Sequence, residues 1–365
     1  MIGDLFQGAF KNRRILVTGH TGFKGCWLTI WLHHLGAEVI GYSLEPPSHP
    51  SLYEISGIGE EITSIKSDIR EIKKLKEVFK TYAPEIVFHL AAQSLVRPSY
   101  KDPILTYETN ILGTANILES CRICPSVRAI VVATSDKCYE NKGKNVKYVE
   151  SDPLGGYDPY SSSKGCAELV TAAYAKSFFN SYKDNTNNKF LASVRAGNVI
   201  GGGDWAQDRL VPDCVKALSK NEIILIRYPD AVRPWQHVLD ALYGYLLLAQ
   251  HLFQYGYEYS GAWNFGPNEQ NVKPVKYIVE QITRIWGENA SWKHESAEQP
   301  HEESFLNLDC SKAKAKLGWN PQWNLELALE NTIYWYKQFY KNHGSISVVF
   351  DQIKDYSNLI KSQEV

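Results

Sequence analysis

The sequence lacks long apolar runs, lacks an excess of either charge and has almost no methionine. Among 365 residues only the initiator is Met, and 39 basic side chains stand against 40 acidic ones. No stretch approaches about 18 uninterrupted apolar residues, which excludes a membrane-spanning helix. The charge balance excludes a generally basic, nucleic-acid-coating surface, so an anionic ligand must be held by local groups. Met1 to Arg14 lacks the basic-then-apolar layout of a secretory leader. The seven cysteines are odd in number and scattered, and only Cys121 and Cys124 form a C-x-x-C. With no second pair at zinc-binding spacing, they read as reduced packing residues of a cytoplasmic, metal-free protein.

What is present is alternation. Short apolar runs at 14–18, 38–43, 61–66, 85–90, 129–133 and 190–195 read as strands. Helical patterns at 23–35, 71–82, 102–121 and 160–182 separate them. This order predicts an α/β fold, a Rossmann-like doubly wound parallel sheet covered on both faces. The second half is richer in Pro, Gly and Trp, with strands at 223–227 and 262–265 and helices at 238–252, 276–286 and 325–340. It reads as a smaller mixed α/β carboxyl-terminal lobe over the carboxyl edge of the sheet, where open sheets bind ligands. The expected division is 1–197, with a return contribution from about 232–263, and 198–365. Residues 180–189 read as a surface loop, and the tail beyond Lys341 carries no signal.

The first strand runs into Gly19-His20-Thr21-Gly22-Phe23-Lys24-Gly25, a G-x-x-G-x-x-G spacing. Between a strand and an apolar helix, such a turn lets the backbone approach a pyrophosphate, and the helix N-terminus supplies N–H groups. The acid that would close the second strand and hold the adenosine ribose is missing: Ser43 stands there, with Glu45 two residues on. No Arg or Lys lies between Gly41 and Pro50 to meet a 2′-phosphate, which favours NAD over NADP. Asp68 and Ile69 could reach the adenine, and Leu90, Ala91, Ala92 and Gln93 could line the dinucleotide. Alternatively these are a strand end and a small-residue packing contact.

Tyr160 and Lys164 stand four apart at the start of a helix, which puts phenol and ammonium on one face. A nearby cation favours the phenolate and so a general base. Thr134-Ser135-Asp136-Lys137-Cys138-Tyr139 follows a buried-looking strand, bringing its polar groups to the same sheet edge.

The glycine turn, Ser135 ahead of the Tyr160/Lys164 pair, and Asn110 in the intervening helix resemble the extended short-chain dehydrogenase/reductase superfamily. Within it, Ser135-Asp136-Lys137-Cys138-Tyr139-Glu140-Asn141 and Gly201-Gly202-Gly203-Asp204-Trp205 resemble the CDP-glucose 4,6-dehydratase family, as do Arg233-Pro234-Trp235-Gln236-His237-Val238 and Trp263-Asn264-Phe265-Gly266-Pro267. The likeness runs from about Arg14 to Trp323 and includes His301-Glu302-Glu303.

The resemblance implies a homodimeric NAD-dependent lyase acting on a nucleotide sugar, CDP-D-glucose, with neither metal nor nucleic acid. NAD would lie along the glycine turn (Gly19, Thr21, Gly22, Phe23, Lys24, Gly25), Ser43, Asp68, Ile69, Leu90 to Gln93, Asn110, Tyr160 and Lys164. Tyr160 would take the sugar 4-hydroxyl proton, Lys164 would lower the phenol pKa, and Ser135 would hold the oxygen. Asp136 would be the acid at the 6-hydroxyl if burial raises its pKa. Lys137 would be either the C5 base or a protonated stabiliser of the enolate or diphosphate. Asn198, Arg209, Leu210, Val211, Pro212 and Arg233 match the family's diphosphate-binding segments, and Arg suits phosphate because its planar fork pairs with two oxygens. The rivals are a 4-epimerase using the same Tyr160 and Lys164, a dehydratase for another nucleotide hexose, and a non-catalytic NAD-binding scaffold.

Overall fold

The computed structural model describes residues 2–141, 146–179, 188–287, 289–295, 306–342 and 347–363. His301, Glu302, Glu303 and most of the 180–189 segment lie outside the described residues. In chain order the strands are β1 (Arg14–Thr18), β2 (Glu38–Ser43), β3 (Thr63–Lys66), β4 (Ile86–His89), β5 (Ala129–Ala133) and β6 (Phe190–Ala196). Then follow β7 (Asn198–Ile200), β8 (Ile224–Ile226), β9 (Val232–His237), β10 (Gly261–Phe265), β11 (Val272–Pro274) and β12 (Trp292–His294). A seven-stranded sheet takes the order β10-β6-β5-β4-β1-β2-β3, with every pairing parallel. The order reverses at β1, so β2 and β4 flank it and a crevice opens at its carboxyl end.

The central strands β1, β4 and β5 are largely apolar because both faces are covered, and successive residues feed two separate cores. Leu16, Val87, Ile130 and Val132 pack with Leu75, Phe79, Ile117 and Leu118 from helices Ile72–Tyr82 and Gly113–Ile123. Ile15, Val17, Ile86, Phe88 and Val131 pack with Trp27, Trp31, Leu242 and Leu246 from helices Phe23–His34 and Val238–Tyr255. A three-stranded sheet (β11-β9-β7), a two-stranded one (β12-β8) and helices Leu210–Leu218, Val275–Trp286 and Leu325–Asn342 form the smaller lobe.

Several expectations change. Helix 160–182 is α-helical over Pro159–Tyr174 and continues as a π-turn over Ala175–Phe179. Lys189 is buried rather than on a surface loop, its ammonium donating to the carbonyls of Cys121 (2.9 Å) and Arg122 (2.8 Å) at a helix end. The tail forms helix Ser347–Gln363, which buries Val349, Ile353, Tyr356 and Ile360. Its Tyr356 packs on Trp31 and covers the outer side of helix Phe23–His34, which is why that helix carries apolar residues all round.

Tyr356 also donates to Asp240 Oδ1 (2.5 Å), which accepts from Gln322 N–H (2.7 Å) as well, while Oδ2 is buried without a partner. Burial pushes this carboxyl from 3.8 up to about 6. Its protonated form therefore contributes stability that is full below about pH 4 and is lost as pH rises through about 6, a loss of at most roughly 3 kcal/mol. Asp240→Asn keeps the Oδ1 acceptor and removes the charge. It should unfold at higher urea than the parent at pH 8 and show no such advantage at pH 4; equal shifts at both would contradict this.

Candidate active site

At the end of β1 the chain turns through Gly19 with φ +80°, where a Cβ would lie 2.8 Å from the Ala91 nitrogen. A Cβ at Gly25 would lie 2.1 Å from Gly19 O, so the start of the next helix must also be bare. Helix Phe23–His34 has no side-chain cap at Gly22, leaving its first N–H groups for an anion. His20 turns away from the crevice: it packs under Gly41, bonds Ser64 Oγ (2.8 Å), and burial lowers it to about 4.

The turn opens onto one cleft of about 1050 Å³, larger than one small ligand needs. It runs from Ser43 and Asp68 at one end to Arg209 and Arg233 at the other, with Tyr160 between. Of the residues assigned from sequence, all but Asn110 line it. Thr21 Oγ1 donates to Leu44 O (2.9 Å), so Ser43 is the donor in its 2.8 Å bond to Thr21 and keeps lone pairs for a ribose hydroxyl. Arg70, also on the wall here, is held by Asp68 and Glu108, each at 2.8 Å. These carboxylates make the end unwelcoming to a 2′-phosphate. The bare, close-fitting turn and this acidic end fit NAD.

Asn110 does not line the cleft. It sits behind the wall, 1% exposed, accepting from Gln93 N–H (2.9 Å) and donating to Gln93 O (2.9 Å) and Ser163 Oγ (2.8 Å). Its amide matches the backbone of one neighbour and a side chain of helix Pro159–Tyr174 at once. It acts by holding Gln93 and that helix in place. His89 does similar work unseen from sequence. Burial lowers it to about 3, so it is neutral, and it bridges Thr18 Oγ1 (2.7 Å) and Thr114 Oγ1 (3.1 Å).

Ser135, Asp136 and Lys137 emerge after β5, facing Tyr160. Ser135 Oγ donates to Asp136 Oδ1 (3.0 Å), whereas Asp136 Oδ2 is buried with no partner. Gly197 leaves room for that oxygen: a Cβ there would lie 3.0 Å away. Burial raises the Asp136 carboxyl, opposed by Lys137, Ser135 and Arg233. That is the condition the sequence set for a general acid. Lys137 is half-buried on the cleft wall.

The pair Tyr160 and Lys164 shares a helix face, but the ammonium does not depress the phenol. Lys164 Nζ turns to Ala133 O (3.4 Å), and burial lowers it to about 8 against the charge of Glu168. Burial pushes the Tyr160 phenol up to about 12; Ser135 and Arg209 pull it down and Asp136 pushes it up. Spacing alone could not show this, because it fixes the face and not the direction of a long side chain.

Glu168, one turn beyond Lys164, was missed. Its carboxylate takes two bonds from Arg195 (3.0 and 2.8 Å) and others from Thr134 (2.5 Å) and Ser193 (2.7 Å). Arg195 is thus a structural neighbour. The signal was present as a Tyr, Lys and Glu at i, i+4 and i+8 on one helix face. His237 is a packing residue, set edge-on to Trp27 and tilted against Trp323, and lowered by burial to about 3.

Across the cleft, Arg209 donates to Asp204 Oδ2 (3.0 Å) and Ser94 Oγ (3.3 Å). It precedes helix Leu210–Leu218 without a side-chain cap, so Leu210, Val211 and Pro212 present a helix N-terminus to the cleft. Arg233 is buried beside Asp136, and Asn198 opens β7 on the same wall. Asp208, also missed, bridges Arg97 (3.1 Å) and Arg227 (3.2 Å) over the rim. Among the described residues no group of three His, Cys, Asp or Glu could hold a metal. The cysteines are free, and all but Cys166 are buried. No described helix is long and apolar enough to cross a membrane.

The model of a family described as GDP-mannose 4,6 dehydratase matches residues 16–332. The chain is 47% identical over 347 residues to CDP-glucose 4,6-dehydratase of Salmonella typhimurium, covering 95% of this chain and 97% of that protein. It superposes on an epimerase of Methanothermobacter thermautotrophicus with TM-score 0.79 and 24% identity, over 93% of this chain and 96% of that one. Its TM-score with a Bacillus anthracis dTDP-glucose 4,6-dehydratase, solved in complex with NAD, is 0.73 at 22% identity, over 90% and 98% of the two chains. The fold, the glycine turn and these likenesses agree: the chain belongs to the family of nucleotide-sugar dehydratases matched by the GDP-mannose 4,6 dehydratase model.

Proposed function

We propose that the chain is an NAD-dependent hydro-lyase converting CDP-D-glucose to CDP-4-keto-6-deoxy-D-glucose. The observation that carries this reading is Asp136, a buried carboxyl with raised pKa and an unpartnered oxygen, set between Tyr160 and Lys137. An epimerase using Tyr160 and Lys164 has no need of such an acid. The relative named CDP-glucose 4,6-dehydratase supports the substrate, and the neighbour solved with NAD supports the cofactor.

The glycine turn would hold NAD, which would supply the hydride acceptor for C4 and the hydride donor for C6. Tyr160, as phenolate, takes the 4-hydroxyl proton, and Ser135 holds the oxygen that becomes the ketone. That ketone acidifies C5–H. The Lys137 amine removes the C5 proton while Asp136 donates its own to the departing 6-hydroxyl, so one water leaves, and Lys137 hands the proton back to C5 when C6 is reduced. Arg209, Arg233, Asn198 and the helix N-terminus at Leu210 hold the diphosphate. Lys164 would hold the cofactor ribose. Residues 1–197, with a return from about 232–263, hold the cofactor, and 198–365 mostly the sugar nucleotide. Incubating the protein and NAD with CDP-, UDP-, GDP- and dTDP-glucose should give a 4-keto-6-deoxy product most rapidly from CDP-glucose. Preference for another base would overturn the substrate, and an epimer product would overturn the reaction.

The enzyme is a cytoplasmic homodimer in this reading. Ile104 (65% exposed), Leu112 (58%) and Leu169 (59%) place apolar surface on the helical segments beginning at Pro103 and Pro159, which suits helix pairing between copies. Sedimentation should show a dimer, and Leu112→Glu with Leu169→Glu should give a folded monomer. A monomeric parent or a dimeric double variant would refute it.

A further inference from the structure

The loop that brings Arg209 to the cleft is fastened from behind. Tyr336, on helix Leu325–Asn342, is fully buried and does not line the cleft. Its hydroxyl donates to Asp204 O (2.5 Å) and accepts from Asp204 N–H (3.0 Å), fixing both backbone groups of one residue. The Asp204 carboxylate is then divided. Oδ1 accepts from Ala206 N–H (3.0 Å) and Oδ2 from Arg209 Nη1 (3.0 Å).

The same helix supports the rest of the loop. Trp205 is wedged against Trp335 (5.6 Å between ring centroids), Tyr336 (5.8 Å) and Phe339 (5.0 Å). Gly202 lies so close to this aromatic face that a Cβ would fall 2.1 Å from Trp335 Cγ. Arginine has a long, entropy-rich side chain, and a guanidinium fixed before its ligand arrives loses less on binding.

We propose that Tyr336 is a positioning residue for substrate binding: through Asp204 it holds the Arg209 guanidinium ready for the substrate diphosphate. This rests on the cleft being a nucleotide-sugar site. The packing of Trp205 sets the loop's position, and the Tyr336 hydroxyl sets the direction of the Asp204 carboxylate.

Tyr336→Phe keeps the ring and removes only the hydroxyl. KM for the nucleotide hexose used by the parent should rise roughly tenfold, with kcat and the KM for NAD unchanged. Asp204→Asn should do the same. In an Arg209→Ala background Tyr336→Phe should add nothing, because both act through one guanidinium. A fall in kcat and NAD affinity alongside a lower melting temperature, with substrate KM unmoved, would mean a purely structural role and overturn the proposal. So would a full additional loss in the Arg209→Ala background. Calorimetric titration with CDP gives the same comparison without turnover, so a failed dehydratase assay would count against the reaction and not against this assignment.

Discussion

Tyr160→Phe is expected to lower turnover of CDP-glucose by about 10²- to 10⁴-fold, the range for loss of a positioned general base. The ring stays, so the packing of a residue only 8% exposed is kept, and CDP binding should hold within about threefold. The phenol, pushed up to about 12 by burial, predicts that the parent's rate rises with pH on the alkaline side. The variant's residual rate should not follow that rise. Near-parental turnover by Tyr160→Phe would place the base elsewhere.

Lys137→Met separates the two halves of the reaction. If the amine is the C5 base, oxidation at C4 proceeds and elimination stops, so reduced cofactor builds up on the enzyme while 4-keto-6-deoxy product falls at least about 10²-fold. Lys137 is suited to this because it follows Asp136 in a tight turn after β5, its own N–H held by Ser135 Oγ (3.2 Å). Acid and base thus leave the backbone at adjacent residues. A variant that still releases product near the parental rate would make Lys137 an electrostatic stabiliser and leave the base unassigned.

Much of this was legible in the sequence for a physical reason. Strands buried on both faces are continuous apolar runs, and β1, β2 and β5 fall within the runs that mark them. The glycine turn was legible because the backbone contacts at Gly19 and Gly25 admit no Cβ. Long-range partners were not. Nothing near His89 in the chain names Thr18, and nothing near Tyr336 names Asp204. Lys164 shows the same limit at short range, since its ammonium answers to Ala133 and Glu168 rather than to the phenol one turn away. The last helix was legible and overlooked, its buried Val349, Ile353, Tyr356 and Ile360 following the helical repeat. The lack of net charge also has a structural counterpart. Arg209 is matched by Asp204, Arg70 by Asp68 and Glu108, and Arg97 and Arg227 by Asp208, so these cations around one cleft stand beside carboxylates.

The most direct test of the 4,6-dehydration is isotopic. CDP-D-glucose carrying deuterium at C4 should give a 4-keto-6-deoxy sugar with that deuterium in its C6 methyl group, moved within one active site. Deuterium retained at C4 in a mixture of gluco and galacto sugars, or lost from the product altogether, would contradict the account.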